Sequence, residues 1–490
     1  MGSAGETFNI AVTPQGAKQL LDPETLAPNQ LELRNGVRTD AGFWKGRPGY
    51  ASEWSLGVAQ PIPLFIPFRR TATSGLGFAV TSAGTIYELL AAQAKQLYSG
   101  PTVDGTFRPT YDVFDGIPIV CSGQAPVKIR VDQAAGNNNV ELLGGSPPAA
   151  RFISVIADRV VLSGQNDTQF NWSDAGNSEV WPGVNFSNVT GHGERIRYQY
   201  TKGTDLYFFK DFNIEVWAHI GGEEVFGRSG IINLLDKHRA ERGLQGWSVV
   251  LAGDPARFFF YADGDFWVLD GFTPRRISST YKREVGNIPN VEGIYGYDFS
   301  KEHVIRWFEP VSGRCFTYDY RNDNFTEDNA WSGGDWQRLP VYSYMEMQDR
   351  AFIGDYDPTG TVYEWDDDIT TDNGNPIRVY RKLRFLLDPK KNHMARWSRL
   401  LCRLERGQGA IGTDPTLQVR WALDGAALDV NQSVSMGEAQ VGVGTSGNYD
   451  PYIELTNLGV GREAILELVQ YASVRHILTH LTVTAKPMGR

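Results

Sequence analysis

The chain has 490 residues and a formal net charge of −10, with 12% aromatic and 21% charged residues, 53 Gly and 25 Pro. That length calls for two or three structural units rather than one core, and aromatic runs punctuated by Gly and Pro favour many short strands over helices. The acidic balance excludes proteins that grip nucleic acid by its phosphates, no apolar run approaches the roughly 20 residues of a membrane helix, and Cys121, Cys315 and Cys402 are too scattered for a disulfide framework or a Cys-pair zinc site, which suits assembly in a reducing cytoplasm.

Residues 1–50 read as an arm. Leu20, Leu21 and Leu26 are isolated apolar anchors among Pro23 and Pro28, 29–34 can form a strand, and Pro48-Gly49 marks a turn. Met1-Gly2-Ser3-Ala4-Gly5-Glu6 has neither the basic nor the apolar region of a secretion signal. From residue 61 short strands alternate with turns, and Thr85-Ile86-Tyr87 after Gly84 predicts a strand pair rather than a helix over 89–97. The runs 206–210 and 214–217 predict a hairpin, and 231–240 is the best helix candidate in the middle of the chain.

The clearest pattern is at 258–277. Phe258-Phe259-Phe260-Tyr261 runs into Asp263-Gly264, Phe266-Trp267-Val268-Leu269 into Asp270-Gly271, and a third strand leaves through Arg276 and Ile277. Asp-Gly between apolar runs is a hairpin signal, because Gly takes the positive φ of a tight turn. The same grammar returns at 291–320 and 342–365, giving successive up-and-down units of roughly 45 residues, the spacing of β-propeller blades. An ordinary β-sandwich with irregular loops is the alternative. Asp366-Asp367-Asp368 and the stretch 371–376 read as a linker, and longer strands at 378–387, 397–405, 417–423 and 476–484 predict a carboxy-terminal β-sandwich. The fold class is therefore all-β: an arm over 1–50, a β-propeller over 51–368 and a β-sandwich over 369–490.

Residues that could carry chemistry all have simpler explanations. His476 and His480 share one face of a helix or strand but lack a third ligand. Asp366, Asp367 and Asp368 lack the alternating oxygens of a Ca²⁺ loop. Asp263, Asp265 and Asp270 raise a glycosidase pair, but turn chemistry explains each. Ser173-Asp174-Ala175-Gly176 is similar to the Asp boxes of sialidase propellers, which are structural turns. Gly442, Gly444 and Gly447 form a Gly-x-Gly-x-x-Gly that opens no helix. No catalytic, cofactor-binding or metal-binding residue is expected.

The order of features resembles the tail hub, or nozzle, proteins of short-tailed phages, also called packaged-DNA stabilisation proteins. The resemblance lies in Asn29-Gln30-Leu31-Glu32-Leu33 leading to Gly46-Arg47-Pro48-Gly49; in Phe152-Ile153-Ser154-Val155 through Arg159-Val160-Val161 to Asn171-Trp172-Ser173-Asp174; and in Arg396-Trp397-Ser398-Arg399, Leu417-Gln418-Val419-Arg420-Trp421 and Leu458-Gly459-Val460-Gly461-Arg462. Ala422-Leu423-Asp424-Gly425-Ala426 departs from the Ser-Asp-Asp-Gly-Gly-like turn of those proteins. The resemblance implies a non-enzymatic structural protein of the virion, assembled in the host cytoplasm. It would form a six-fold ring whose arm and sandwich make a platform from which the propellers project. It also implies as partners the portal adaptor (head-to-tail connector), tail spike or fibre, and tail needle or tip proteins. Packaged DNA would be retained and then conducted through the channel without sequence-specific binding, and an acidic lumen would repel its phosphates. The segment 44–49 is the first expectation for an interface. The alternative function is a propeller that binds or hydrolyses host-surface polysaccharide, with Trp and Tyr stacking on sugars.

Overall fold

A computed structural model describes residues 8–11, 29–38, 44–68, 77–90, 93–98, 108–130, 139–164, 168–189, 194–222, 224–234, 243–278, 285–386, 394–404, 416–426, 429–435, 452–474 and 477–488. Leu20, Leu21, Leu26, His476 and the 407–414 and 442–448 stretches lie outside them.

Four-stranded antiparallel meanders follow one another at 64–98, 110–142, 152–188, 196–233, 244–276 and 295–327. A seventh is made by 341–366 and completed by Gly49–Ser55 from the other end of the chain, which pairs antiparallel with Thr361–Asp366. Their turns are built as the dipeptides dictate. Asp115-Gly116 and Asp263-Gly264 take φ of 47° and 73°, and of 48° and 78°, the double positive φ of a type I′ turn.

The apolar runs explain how the meanders assemble. Successive side chains of a strand point to opposite faces. Phe258 and Phe260 pack with Tyr207 and Phe209 of the preceding meander, whereas Phe259 and Tyr261 pack with Trp307 and Phe316 of the following one. Phe208 and Phe209, Val160 and Val161, and Trp307 and Phe308 divide in the same way between their two neighbours. A sheet buried on both faces needs continuous apolar runs rather than alternation, and each buried Phe side chain contributes roughly 1.5–3 kcal/mol. The clusters run round a ring that closes where Phe65 and Tyr87 of the first meander meet Met345 and Phe352 of the last. Among the described residues this is a seven-bladed β-propeller, its last blade closed by the amino-terminal strand.

Both ends of the chain build the second body. A nine-stranded sheet continues from the 295–327 blade through Asn29–Arg34 to Val379–Leu386, Glu463–Gln470, Thr416–Leu423 and Asp429–Ser435. A second sheet orders Gly36–Arg38, Trp44–Gly46, Ile477–Pro487, Ala395–Leu404 and Tyr452–Gly461, with Phe8–Ala11 also on Ile477–Pro487. Leu383, Phe385, Trp421 and Leu466 of the first share a core with Trp397, Leu400, Leu481 and Val483 of the second, so the two form a sandwich. That core is continuous with the one between the 244–276 and 295–327 blades.

Two expectations need correction. Residues 231–233 belong to the strand Phe226–Asn233, paired along Asn213–His219, so the helix expected over 231–240 does not begin there; 235–240 lie outside the described residues. The stretch 371–376 is not a free linker, although 373–376 are exposed. Thr371–Asp372 pairs with Asn375–Pro376 and, in parallel, with Tyr50, and Asp372 is buried.

Candidate functional site in the propeller channel

The joint between the two bodies is made of buried charge. Arg47 donates to both carboxylate oxygens of Asp372 (2.9 and 2.6 Å), to Asn35 Oδ1 (3.0 Å) and to the carbonyls of Pro48 and Asn329. Beside it Arg306 donates to both oxygens of Glu302 and to Asp328 Oδ2 (2.8 Å), and Trp365 lies within 5.5 Å of both guanidiniums. The neighbouring carboxylates raise the pKa of Arg47 and Arg306 despite the opposing effect of burial. In the segment expected first for an interface, Trp44, Arg47, Pro48 and Gly49 are buried within the chain, and Trp44 stacks on Arg381 (4.9 Å).

The inner strands of all seven blades surround a cavity of about 560 Å³ on the propeller axis. Arg108 enters it at the start of the second blade. Its guanidinium carbon lies 4.4 Å from the Tyr295 ring, 5.0 Å from Tyr342, 5.1 Å from Tyr297 and 6.0 Å from Trp247. Nε donates to the Pro63 carbonyl (3.2 Å), and Nη2 to the Tyr342 carbonyl and the Tyr297 hydroxyl. No carboxylate pairs with Arg108 among the described residues, and burial lowers its pKa. The group remains a cation, as guanidiniums in proteins do.

On the strand Thr110–Phe114 that follows, Asp112 accepts the backbone N–H groups of Val113 (2.7 Å) and Val155 (2.6 Å). Burial raises its pKa and these two donors oppose the rise. Tyr111, Tyr198 and Tyr200 stand around it, their phenols pushed up chiefly by burial, so they stay protonated hydrogen-bond donors. Toward the sixth and seventh blades, burial followed by the nearby Glu346 charge lifts Asp298 to about 7, and its Oδ1 is buried without a hydrogen-bond partner among the described residues.

The residues singled out in the sequence are elsewhere. Asp263 occupies a turn at φ 48°; Asp265 is buried, accepting from Ser278 Oγ (3.0 Å) and facing Arg276 (3.5 Å). Asp270 ends the same strand, about 17 Å from Asp265 at the rise of an extended chain, too far for a glycosidase pair. The Ser173 hydroxyl accepts from Val160 N (3.0 Å), a structural turn. Asp366, Asp367 and Asp368 stay at the surface, with Lys45 paired to Asp367. His480 lies exposed on the platform beside Thr482, and no three His, Cys, Asp or Glu side chains converge as metal ligands among the described residues. Arg108 and its aromatic cage carried no sequence signal, because they converge from four separate blades.

No family model and no curated protein matches the chain. Solved structures similar to it include YCF48 bound to a D1 peptide (12% identity, TM-score 0.41, 65% of this chain and 97% of that one). Another is BamB from Moraxella catarrhalis (11% identity, TM-score 0.36, 72% of this chain and 99% of that one). At these scores the likeness adds nothing to the strand order itself. No helix among the described residues is long and apolar enough to cross a membrane.

Proposed function

We propose that the chain is a structural, ring-forming protein of a short-tailed phage nozzle. The observation that carries this reading is the way the propeller is set into the platform. The arm and the carboxy-terminal strands share one sandwich, the chain leaves it to build seven blades, and Arg47 locks the return. A propeller held this stiffly to a second body suits a ring whose platforms touch neighbours while the propellers project. The platform also ends in the open strands Asp429–Ser435 and Tyr452–Gly461, which pair with no further strand among the described residues and offer edges to a neighbouring subunit or the portal adaptor. In this reading packaged DNA runs through the lumen of the ring, and the net charge of −10 keeps the protein from gripping it.

The deciding experiment is the copy number of the protein in purified particles, by quantitative mass spectrometry against the portal. About half the portal copy number is expected for a six-fold ring on a twelve-fold base. Absence from the particle, or a spike-like trimer stoichiometry, overturns the proposal.

A further inference from the structure

We infer that the axial cavity of the propeller binds a small sugar acid, with its carboxylate on Arg108 and its hydroxyls toward Tyr111, Tyr198, Tyr200 and Asp112. The inference stands apart from the nozzle reading, since it concerns the channel within one propeller.

Arg108 carries a charge that no described carboxylate balances. A buried ion without a counterion costs several kcal/mol, which is why buried charges are ordinarily paired. Arg47 and Arg306 obey the rule with carboxylates at 2.6–2.9 Å. Arg108 has four aromatic rings and three oxygen acceptors instead. Rings contribute about 0.5–2 kcal/mol each and replace a counterion only in part. Its Nη1 makes no hydrogen bond to the described residues, and the side chain keeps surface open to the cavity. The blades hold a cation to which no described residue brings an anion.

The other walls define that anion. Among the described residues lining the cavity there is no Lys and no second Arg, so a single negative charge fits and a dianionic phosphate does not. The hydroxyls of Tyr111, Tyr198 and Tyr200 have no hydrogen-bond partner among the described residues, and they cluster with the Asp112 carboxylate. Three protonated phenols and a carboxylate are donors and acceptors for a polyhydroxylated ring. Tyr198 is near enough to Arg108 to feel its charge, so one ligand can span both ends. Trp247, edge-on to Tyr198 at 5.7 Å, adds an aromatic wall of the kind that packs on sugar rings. The volume, about 560 Å³, lies in the range of small-ligand sites.

The test is ligand-observed NMR and calorimetry on the full chain with methyl β-glucuronide, methyl β-glucoside, acetate and inorganic phosphate. The glucuronide is expected to bind at least about tenfold more tightly than the other three. Arg108→Gln should bring it down to the level of the glucoside, and Arg108→Lys should retain part of the preference, since the charge survives and the planar fork does not. Should Arg108→Gln melt early, Tyr200→Phe keeps the question open to measurement: it removes one hydroxyl and is expected to weaken the glucuronide about three- to tenfold with the melting temperature unchanged. Undetectable glucuronide binding, acetate or phosphate binding as tightly as the glucuronide, or full affinity in both Arg108→Gln and Tyr200→Phe overturns the inference.

Discussion

Arg47 and Arg108 are both enclosed guanidiniums resting on aromatic rings, yet their surroundings differ in one respect that decides what each can do. Arg47 meets Asp372 through two hydrogen bonds, and Asn35, Pro48 and Asn329 take its remaining donors. Among the described residues Arg108 meets only neutral oxygens and rings. The first arrangement is complete, and completeness is what a joint needs. The second is unfinished, and an unfinished polar site inside a cavity can receive a ligand.

Removing each charge separates the joint from the channel most directly. Arg47→Met leaves Asp372 buried and unpaired, and breaking a buried pair in this way costs about 3–5 kcal/mol. Arg108→Met removes a charge that has no counterion among the described residues and is expected to change stability by less than about 1.5 kcal/mol, in either direction. Urea midpoints with unchanged m-values measure both. Equal losses in the two variants would erase the distinction between a joint and a receptive site. Near-full recovery in Arg47→Met/Asp372→Leu would strengthen it, because replacing both partners of a buried pair by apolar groups is often neutral.

A smaller effect is expected at the same joint from sterics alone. A Cβ on Gly49 would stand 2.3 Å from the Thr371 carbonyl oxygen and 2.5 Å from that of Ile369, both backbone atoms that cannot swing aside. Gly49→Ala should therefore cost about 1–3 kcal/mol and loosen the closing strand of the last blade. Limited proteolysis within 49–55 reports the loosening. Gly183→Ala, where nothing stands within 4 Å, is the control that should leave both readouts unchanged.

These residues also show where sequence reading succeeds and where it stops. Phe258-Phe259-Phe260-Tyr261 with Asp263-Gly264 announced a blade, because strand, turn and double burial are all written within a dozen residues. The platform strands Val379–Leu386, Ala395–Leu404 and Thr416–Leu423 were legible for the same reason. The closing strand Gly49–Ser55 was not, since its partner lies some three hundred positions away and its own apolar pattern is broken by Ser52, Glu53 and Ser55. Asp372 looked like part of a linker because Asp-Asn-Gly-Asn-Pro is turn chemistry; only the arrival of Arg47, 325 residues distant, makes it an interior residue. The channel is harder still. Arg108, Tyr198, Trp247 and Tyr297 belong to four blades, and nothing local to any of them marks a shared site. Local chemistry predicts elements, whereas the site depends on ring closure.

The gentlest probe of the propeller's inner strands is pH. Asp298 lies on the inner strand Tyr295–Phe299, and desolvation together with the Glu346 charge raises it to about 7 against a lowering hydrogen bond from Tyr320. In the unfolded chain the same carboxyl titrates near 4. The folded protein therefore holds a proton there that the unfolded chain has released, and the associated stability is fully present below pH ~4 and is lost as pH rises through about 7. Asp298→Asn mimics the protonated acid at every pH. Its unfolding midpoint should match the unaltered protein near pH 4 and exceed it by a growing margin up to pH ~8, beyond which the gap is constant. Chemical denaturation of the two proteins across that range measures the margin. A gap that is flat with pH, or one that widens toward acid, would mean that the sixth and seventh blades leave Asp298 ionised, with the Tyr320 hydrogen bond outweighing its burial.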